Sequence, residues 1–103
     1  MALHPKTILV VDDDEMVLSL LEADLRRAGF AVLTAANGKE ALAIALRELV
    51  DIIVSDISMP EMDGLEFCER IRQSSEHVDI PFIFLTAHGR ASARMRVHKT
   101  STL

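Results

Sequence analysis

Apolar residues fall along the chain in two alternating rhythms. Four short runs, at residues 7–11, 30–34, 52–54 and 81–85, are almost continuous in Val, Ile, Leu and Phe. Such runs suit strands buried on both faces, as in a parallel sheet. Between them the period lengthens. Val17, Leu21, Leu25 and Ala28, with Leu18 beside them, recur on one face of a helix, while Glu22, Arg26 and Arg27 fall mostly outside it. Asp13 or Asp14 can cap this helix, and Gly29 can end it. Ala41, Leu42, Ala45, Leu46 and Leu49 mark a second amphipathic helix after a loop at residues 35–38. A third is expected over residues 64–73 with Leu65, Cys68 and Ile71 inward, and a polar loop over residues 74–79 leads to the fourth strand.

Strand and helix alternate with short loops, which predicts an α/β domain: a doubly wound parallel sheet joined by right-handed crossovers. The expected strand order is 2-1-3-4, and the pattern stops there. Residues 1–88 form the predicted domain and residues 89–103 a basic, atypical tail. The tail holds a short helix candidate around residues 91–97. In the same stretch Ala91, Ala93, Met95 and Val97 alternate with Ser92, Arg94 and Arg96, a period of two that suits a strand better. With no fifth strand the run at residues 82–85 is an open edge, apolar on both faces. Such an edge recruits another chain, so a homodimer through the exposed fourth-strand edge, or by exchange of tails, is expected.

Composition narrows the class. The 103 residues make one domain, half of them apolar and a quarter charged. No stretch has the length of a membrane span or the apolar core of a signal peptide. The single cysteine, Cys68, has no intrachain partner, which fits a reducing, cytoplasmic setting. The net charge of −5 is unevenly spread. Every acidic residue precedes position 80, whereas Arg90, Arg94, Arg96 and Lys99 lie in the tail with no acid among them. An acidic body argues against specific nucleic-acid binding, which needs basic surface.

The chemistry sits where the apolar runs end. Asp12 and Asp13 follow the first strand, Asp56 the third and Thr86 the fourth. Pro60 and Gly64 stop the third strand, Gly64 by tolerating a left-handed turn. A parallel sheet places these ends on one edge, where ligands of such folds bind. Three carboxylates meeting there repel unless a cation intervenes, and an all-oxygen set with room for water suits Mg²⁺. Taken singly, Asp13 and Asp14 also read as helix caps and Asp56 as a loop acid. His4, His77, His88 and His98 show no metal-ligand spacing, Met59 and Met62 read as packing beside the loop, and no Gly-rich phosphate loop implies a nucleotide cofactor.

The run Ile-Leu-Val-Val-Asp-Asp-Asp, the segment Ser-Asp-Ile-Ser-Met-Pro-Glu-Met-Asp-Gly and the Phe-Leu-Thr-Ala end together resemble the receiver domain of two-component response regulators, over about residues 7–88. The resemblance implies a flavodoxin-like, receiver-like fold and a phosphorelay role rather than an enzyme. It makes Asp56 the phosphoacceptor and Thr86 the switch hydroxyl. Asp13 and Asp56 would bind Mg²⁺ through carboxylates, Ser58 through its backbone carbonyl and Asp12 through water. The donor it implies is a phosphohistidine on a histidine kinase or phosphotransfer protein. The sequence departs from the family at its end, where a fifth strand bearing Lys-Pro and a fifth helix are missing or altered. Lys99 is too close to Thr86 to match that lysine. A phosphorylation-deficient, receiver-like interaction module is therefore the alternative. A haloacid-dehalogenase-like phosphatase would use Asp12 and Asp14 but leaves Asp56 and the Met59-Pro60 loop unexplained.

Overall fold

The computed structural model describes residues 5–74, 77, 79–87 and 93–98, and residues 86–87 and 93–98 by their backbone alone. In chain order the elements are β1 (Thr7–Val11), α1 (Glu15–Arg27), β2 (Ala31–Ala35), α2 (Gly38–Arg47), β3 (Ile52–Asp56), α3 (Gly64–Arg72), β4 (Phe82–Ala87) and β5 (Ala93–His98). One sheet of order β2-β1-β3-β4-β5 contains all five strands. The first four are parallel, in the expected order 2-1-3-4.

The unbroken apolar runs are explained by two cores, one on each face of the sheet. Alternate strand residues divide between them. Leu9, Val11, Ile53, Phe82 and Phe84 join Ala41, Ala45, Phe67, Cys68 and Ile71 under α2 and α3. Ile8, Val10, Val32 and Val54 face the other way, against Leu18, Leu21 and Leu25 of α1. Phe67 and Phe82 meet edge to face, 5.5 Å between centroids at 64°. Arg72 fastens α3 to the segment before β4. Its Nη1 donates to the carbonyls of His77 and Ile80, and its guanidinium lies 4.9 Å over the Phe82 ring. Burial pushes the neighbouring Cys68 thiol up, so it serves as core rather than as a nucleophile.

Helix boundaries follow local chemistry. Asp14, in extended conformation, caps α1 by accepting from the Met16 and Val17 amides. Gly29, at φ 103°, lets the Gly29 amide reach Arg26 and the Phe30 amide reach Leu25, closing the helix end. Asn37 and Asp63 cap α2 and α3 through the Glu40 and Glu66 amides.

Three expectations need correction. Leu46, Leu49 and Leu65 are 56%, 91% and 51% exposed rather than inward. In α2 the small residues Gly38, Ala41 and Ala45 face the core, and Leu49 lies past the helix end. In α3 the buried set is Gly64, Phe67, Cys68 and Ile71, which leaves Leu65 about a quarter-turn out of phase. The fourth-strand edge is also not open. The tail's period of two prevails over the helix candidate, and β5 pairs antiparallel with β4 from Phe82↔His98 to Ala87↔Ala93. The premise of a homodimer through an uncovered β4 edge is thereby removed. Residues 88–92 and 99–103, which include part of the tail reading and His88, lie outside the described residues.

Candidate functional site

β1 and β3 are neighbours, so their carboxyl ends bring their terminal acids together. Asp12 prolongs the β1–β2 ladder by one bond, its amide donating to the Ala35 carbonyl at 3.1 Å. This anchors its backbone and leaves the residue 5% exposed. Its Oδ1 accepts from the Asp14 amide at 2.9 Å. Asp13 is exposed at the turn, and Asp56 is half-buried at the last position of β3. Carboxylate oxygens of Asp12, Asp13 and Asp56 all lie within 4.8 Å of one another.

Such crowding shows in the acidities. Burial, with the charges of Asp56, Asp13 and Asp14, pushes Asp12 up to about 6 against the opposing Asp14 hydrogen bond. Burial chiefly, then the Asp13 charge, raises Asp56, while the Ser58 and Ile57 amides facing its carboxylate pull the other way. An unpaired acidic triad of this kind is a ready site for a hard divalent cation. Three carboxylates from two elements converge on one point, and no cationic side chain forms an ion pair with any of them among the described residues.

The remaining expected residues are placed as follows. Ser58 is exposed in the loop after β3 and turns its amide to Asp56. Thr86 occupies β4 one row beyond the Asp56↔Leu85 pair; its side chain lies outside the described residues. Two features of the loop escape a sequence reading. The left-handed residue is Glu61, at φ 66°, not Gly64. Gly64 is required by proximity instead: a Cβ there would collide with the backbone carbonyl of Asp56 and crowd the Ile57 Cα, while its amide bonds Ile57 at 2.8 Å. Likewise a Cβ on Gly38 would strike the Met62 carbonyl, so α2 packs directly on this loop. The signal available in sequence is the position of Gly64 directly after a capping Asp, where φ needs no glycine.

The parallel strands and their crossovers make a doubly wound α/β domain, with the acidic cluster at the carboxyl edge of its strands, where ligands of such folds bind. Within that class, the chain belongs to the response regulator receiver domain family of two-component systems, which it matches over residues 8–102. It is 45% identical over 82 residues to the alkaline phosphatase synthesis transcriptional regulatory protein PhoP of Bacillus subtilis (strain 168), covering 80% of this chain and 33% of PhoP. The chain thus spans about a third of that relative's length. Among solved structures it resembles the chemotaxis protein CheY4 of Vibrio cholerae, with TM-score 0.79 and 37% identity, covering 84% of this chain and 72% of CheY4. It also resembles the response regulator TrrA of Thermotoga maritima, solved in complex with Mg²⁺–BeF, with TM-score 0.75 and 39% identity over 82% of this chain and 71% of TrrA.

Proposed function

We propose that the chain is a phosphorelay receiver that accepts a phosphoryl group on Asp56, in a Mg²⁺-dependent step, from the phosphohistidine of a histidine kinase or phosphotransfer protein. The observation that carries this reading is the convergence of the Asp12, Asp13 and Asp56 carboxylates within 4.8 Å at the edge of the sheet. Bound Mg²⁺, held by Asp13 and Asp56 with the Ser58 carbonyl, and by Asp12 through water, would neutralise charge on the transferring oxygens. The rest is done by the chain. An Asp56 oxygen, more basic than an ordinary carboxylate, attacks phosphorus. The P–N bond breaks, and its electron pair leaves with the imidazole. The Ser58 and Ile57 amides orient the attacking carboxylate. Thr86, one row beyond Asp56 on the adjacent strand, is assigned the hydroxyl that then donates to the phosphoryl group. The product is a signalling state, not a turnover, so the chain acts as a phosphoacceptor rather than an enzyme. A cytoplasmic location follows from its partner; no helix among the described residues is long and apolar enough to cross a membrane.

The test is intact-mass measurement after incubation with acetyl phosphate and Mg²⁺. One phosphoryl addition is expected, lost on chelation and absent in Asp56→Asn. Unmodified wild type, or an Asp56→Asn chain that still gains the group, overturns the reading. The first outcome would favour the phosphorylation-deficient module, which the antiparallel course of β5 recommends because it carries no lysine to the site along a parallel strand.

A further inference from the structure

We propose that Gly38 is a positioning residue for the acidic site: it seats the β2–α2 turn as a strut between the strand end that carries Asp12 and the loop that carries Ser58. The inference rests on the Mg²⁺-dependent reading above. Gly38 heads α2 without the left-handed φ that would call for glycine, which among the described glycines only Gly29 has. Space requires it instead. A Cβ on Gly38 would stand 2.5 Å from the Met62 carbonyl oxygen and 3.0 Å from the Met62 Cβ and Cγ. The other end of the same turn holds Asp12, whose amide donates to the Ala35 carbonyl at 3.1 Å. Residues 35–38 thus touch both walls of the site.

Neither wall yields alone. The turn is braced by a reciprocal cap: Asn37 Oδ1 accepts from the Glu40 amide at 2.8 Å, and Glu40 Oε1 accepts from the Ala36 amide at 2.6 Å. Ala41 and Ala45 are fully buried behind it, so α2 cannot lift without opening the core. The loop at residues 57–63 is held as firmly. Met59 and Met62 are buried in the same core, and Glu61 reverses the chain between them at φ 66°. The Gly64 amide then closes the loop on the Ile57 carbonyl at 2.8 Å. A push on Met62 is therefore passed on to Ser58 rather than absorbed. There the Ser58 amide faces the Asp56 carboxylate, and the Ser58 carbonyl is the one assigned to Mg²⁺. If α2 retreats instead, it draws on Ala35 and so on Asp12. Either way an added methyl parts the two halves of the site, although Gly38 supplies no ligand to it.

Calorimetric titration of the full chain with Mg²⁺ reads the site, and melting curves in chelator read the fold. Gly38→Ala is expected to bind Mg²⁺ about tenfold more weakly than wild type. Ile71→Val, a buried change about 10 Å along α3 from Gly64, should melt lower than wild type with its Mg²⁺ Kd unchanged. Glu40 is exposed, so Glu40→Ala loosens the turn without adding a methyl or opening the core. It should weaken Mg²⁺ binding at least about threefold, and Glu40→Gln, which keeps an acceptor for the Ala36 amide, should restore it. An unchanged Kd in Gly38→Ala overturns the inference, and so does an Ile71→Val chain that loses as much Mg²⁺ affinity. If Gly38→Ala does not fold, Glu40→Ala against Glu40→Gln decides, and equal Kd values for those two overturn the strut. A wild type that binds Mg²⁺ but takes no label from acetyl phosphate overturns the phosphoacceptor reading alone, since the Kd still decides for Gly38. A wild type that binds no Mg²⁺ overturns both.

Discussion

Gly64 shows how a single missing methyl holds the site together. The amide of Gly64 bonds Ile57, and its bare Cα lets α3 begin against the carbonyl of Asp56. Gly64→Ala forces that contact apart, displacing Asp56 from Asp12 and Asp13. We expect a loss of about 1–3 kcal/mol in urea unfolding, with divalent-cation affinity falling alongside it. Asp12 supports a second expectation. Its folded-state pKa, about 6, lies above the ordinary 3.8, so the metal-free fold binds its proton more tightly than the unfolded chain does. That stability is complete below about pH 4 and lost as pH rises through about 6, with a ceiling of about 3 kcal/mol. The raised Asp56 works in the same direction. In chelator, melting curves of wild type minus Asp12→Asn should show this decline, and Asp56→Ala should melt higher than wild type. Mg²⁺ at a hundredfold excess over its Kd should return about 2.7 kcal/mol to the wild type. A pH-independent difference between wild type and Asp12→Asn would contradict the crowding. The acids themselves were legible in the sequence, because each ends an apolar run. Their amide partners at Ser58 and Ile57, and the reason for Gly64, were not. Those depend on how closely two backbones approach, which residue identity does not encode.

At the scale of elements, the strands were legible because burial on two faces leaves unbroken apolar runs, and the helix ends because Asp14, Asn37 and Asp63 are caps by residue type. Helix phase was less so. Leucine is the stronger apolar signal, yet α2 and α3 turn Gly38, Ala41, Ala45 and Gly64 inward, since only small residues allow so close a seat. β5 is the instructive element. Its alternation identified a strand but not its direction or its partner, both of which are set by which ladder lacks a neighbour. By lying on β4 it turns Phe82–Ala87 from an edge into an interior strand. The new edge carries Arg94, Arg96 and His98, a composition that resists edge-to-edge pairing. The full chain is accordingly expected to sediment as a monomer at high micromolar concentration. A chain ending at residue 92 should self-associate under the same conditions. A monomeric truncated chain would show that β5 is not what protects the edge.

At the scale of the molecule, the described residues cover the two faces of the sheet unequally. The α2–α3 face holds the fully buried aromatic core, whereas α1 has no buried residue and leaves Ile52, Ile83 and Leu85 only partly enclosed. Sequence patterning could announce two apolar faces but not their unequal roofs, because the number of helices per face follows from crossover geometry. The sheet order carries a consequence for a chain made from its N-terminus onward. Among the strands of this sheet β1 leaves the ribosome first, and yet it is an interior strand, between β2 and β3. After β2 and α2 have emerged, one whole side of β1 still lacks its ladder, and Leu9 and Val11 still lack Ile53, Phe67 and Phe82 from their core. The nascent domain therefore passes through a long interval of synthesis with its most apolar strand half-paired, a period in which chaperone contact is expected to be strongest. It closes when β3 arrives, and the acidic site is assembled in that same moment, since Asp56 is the last residue of the strand that completes the centre of the sheet.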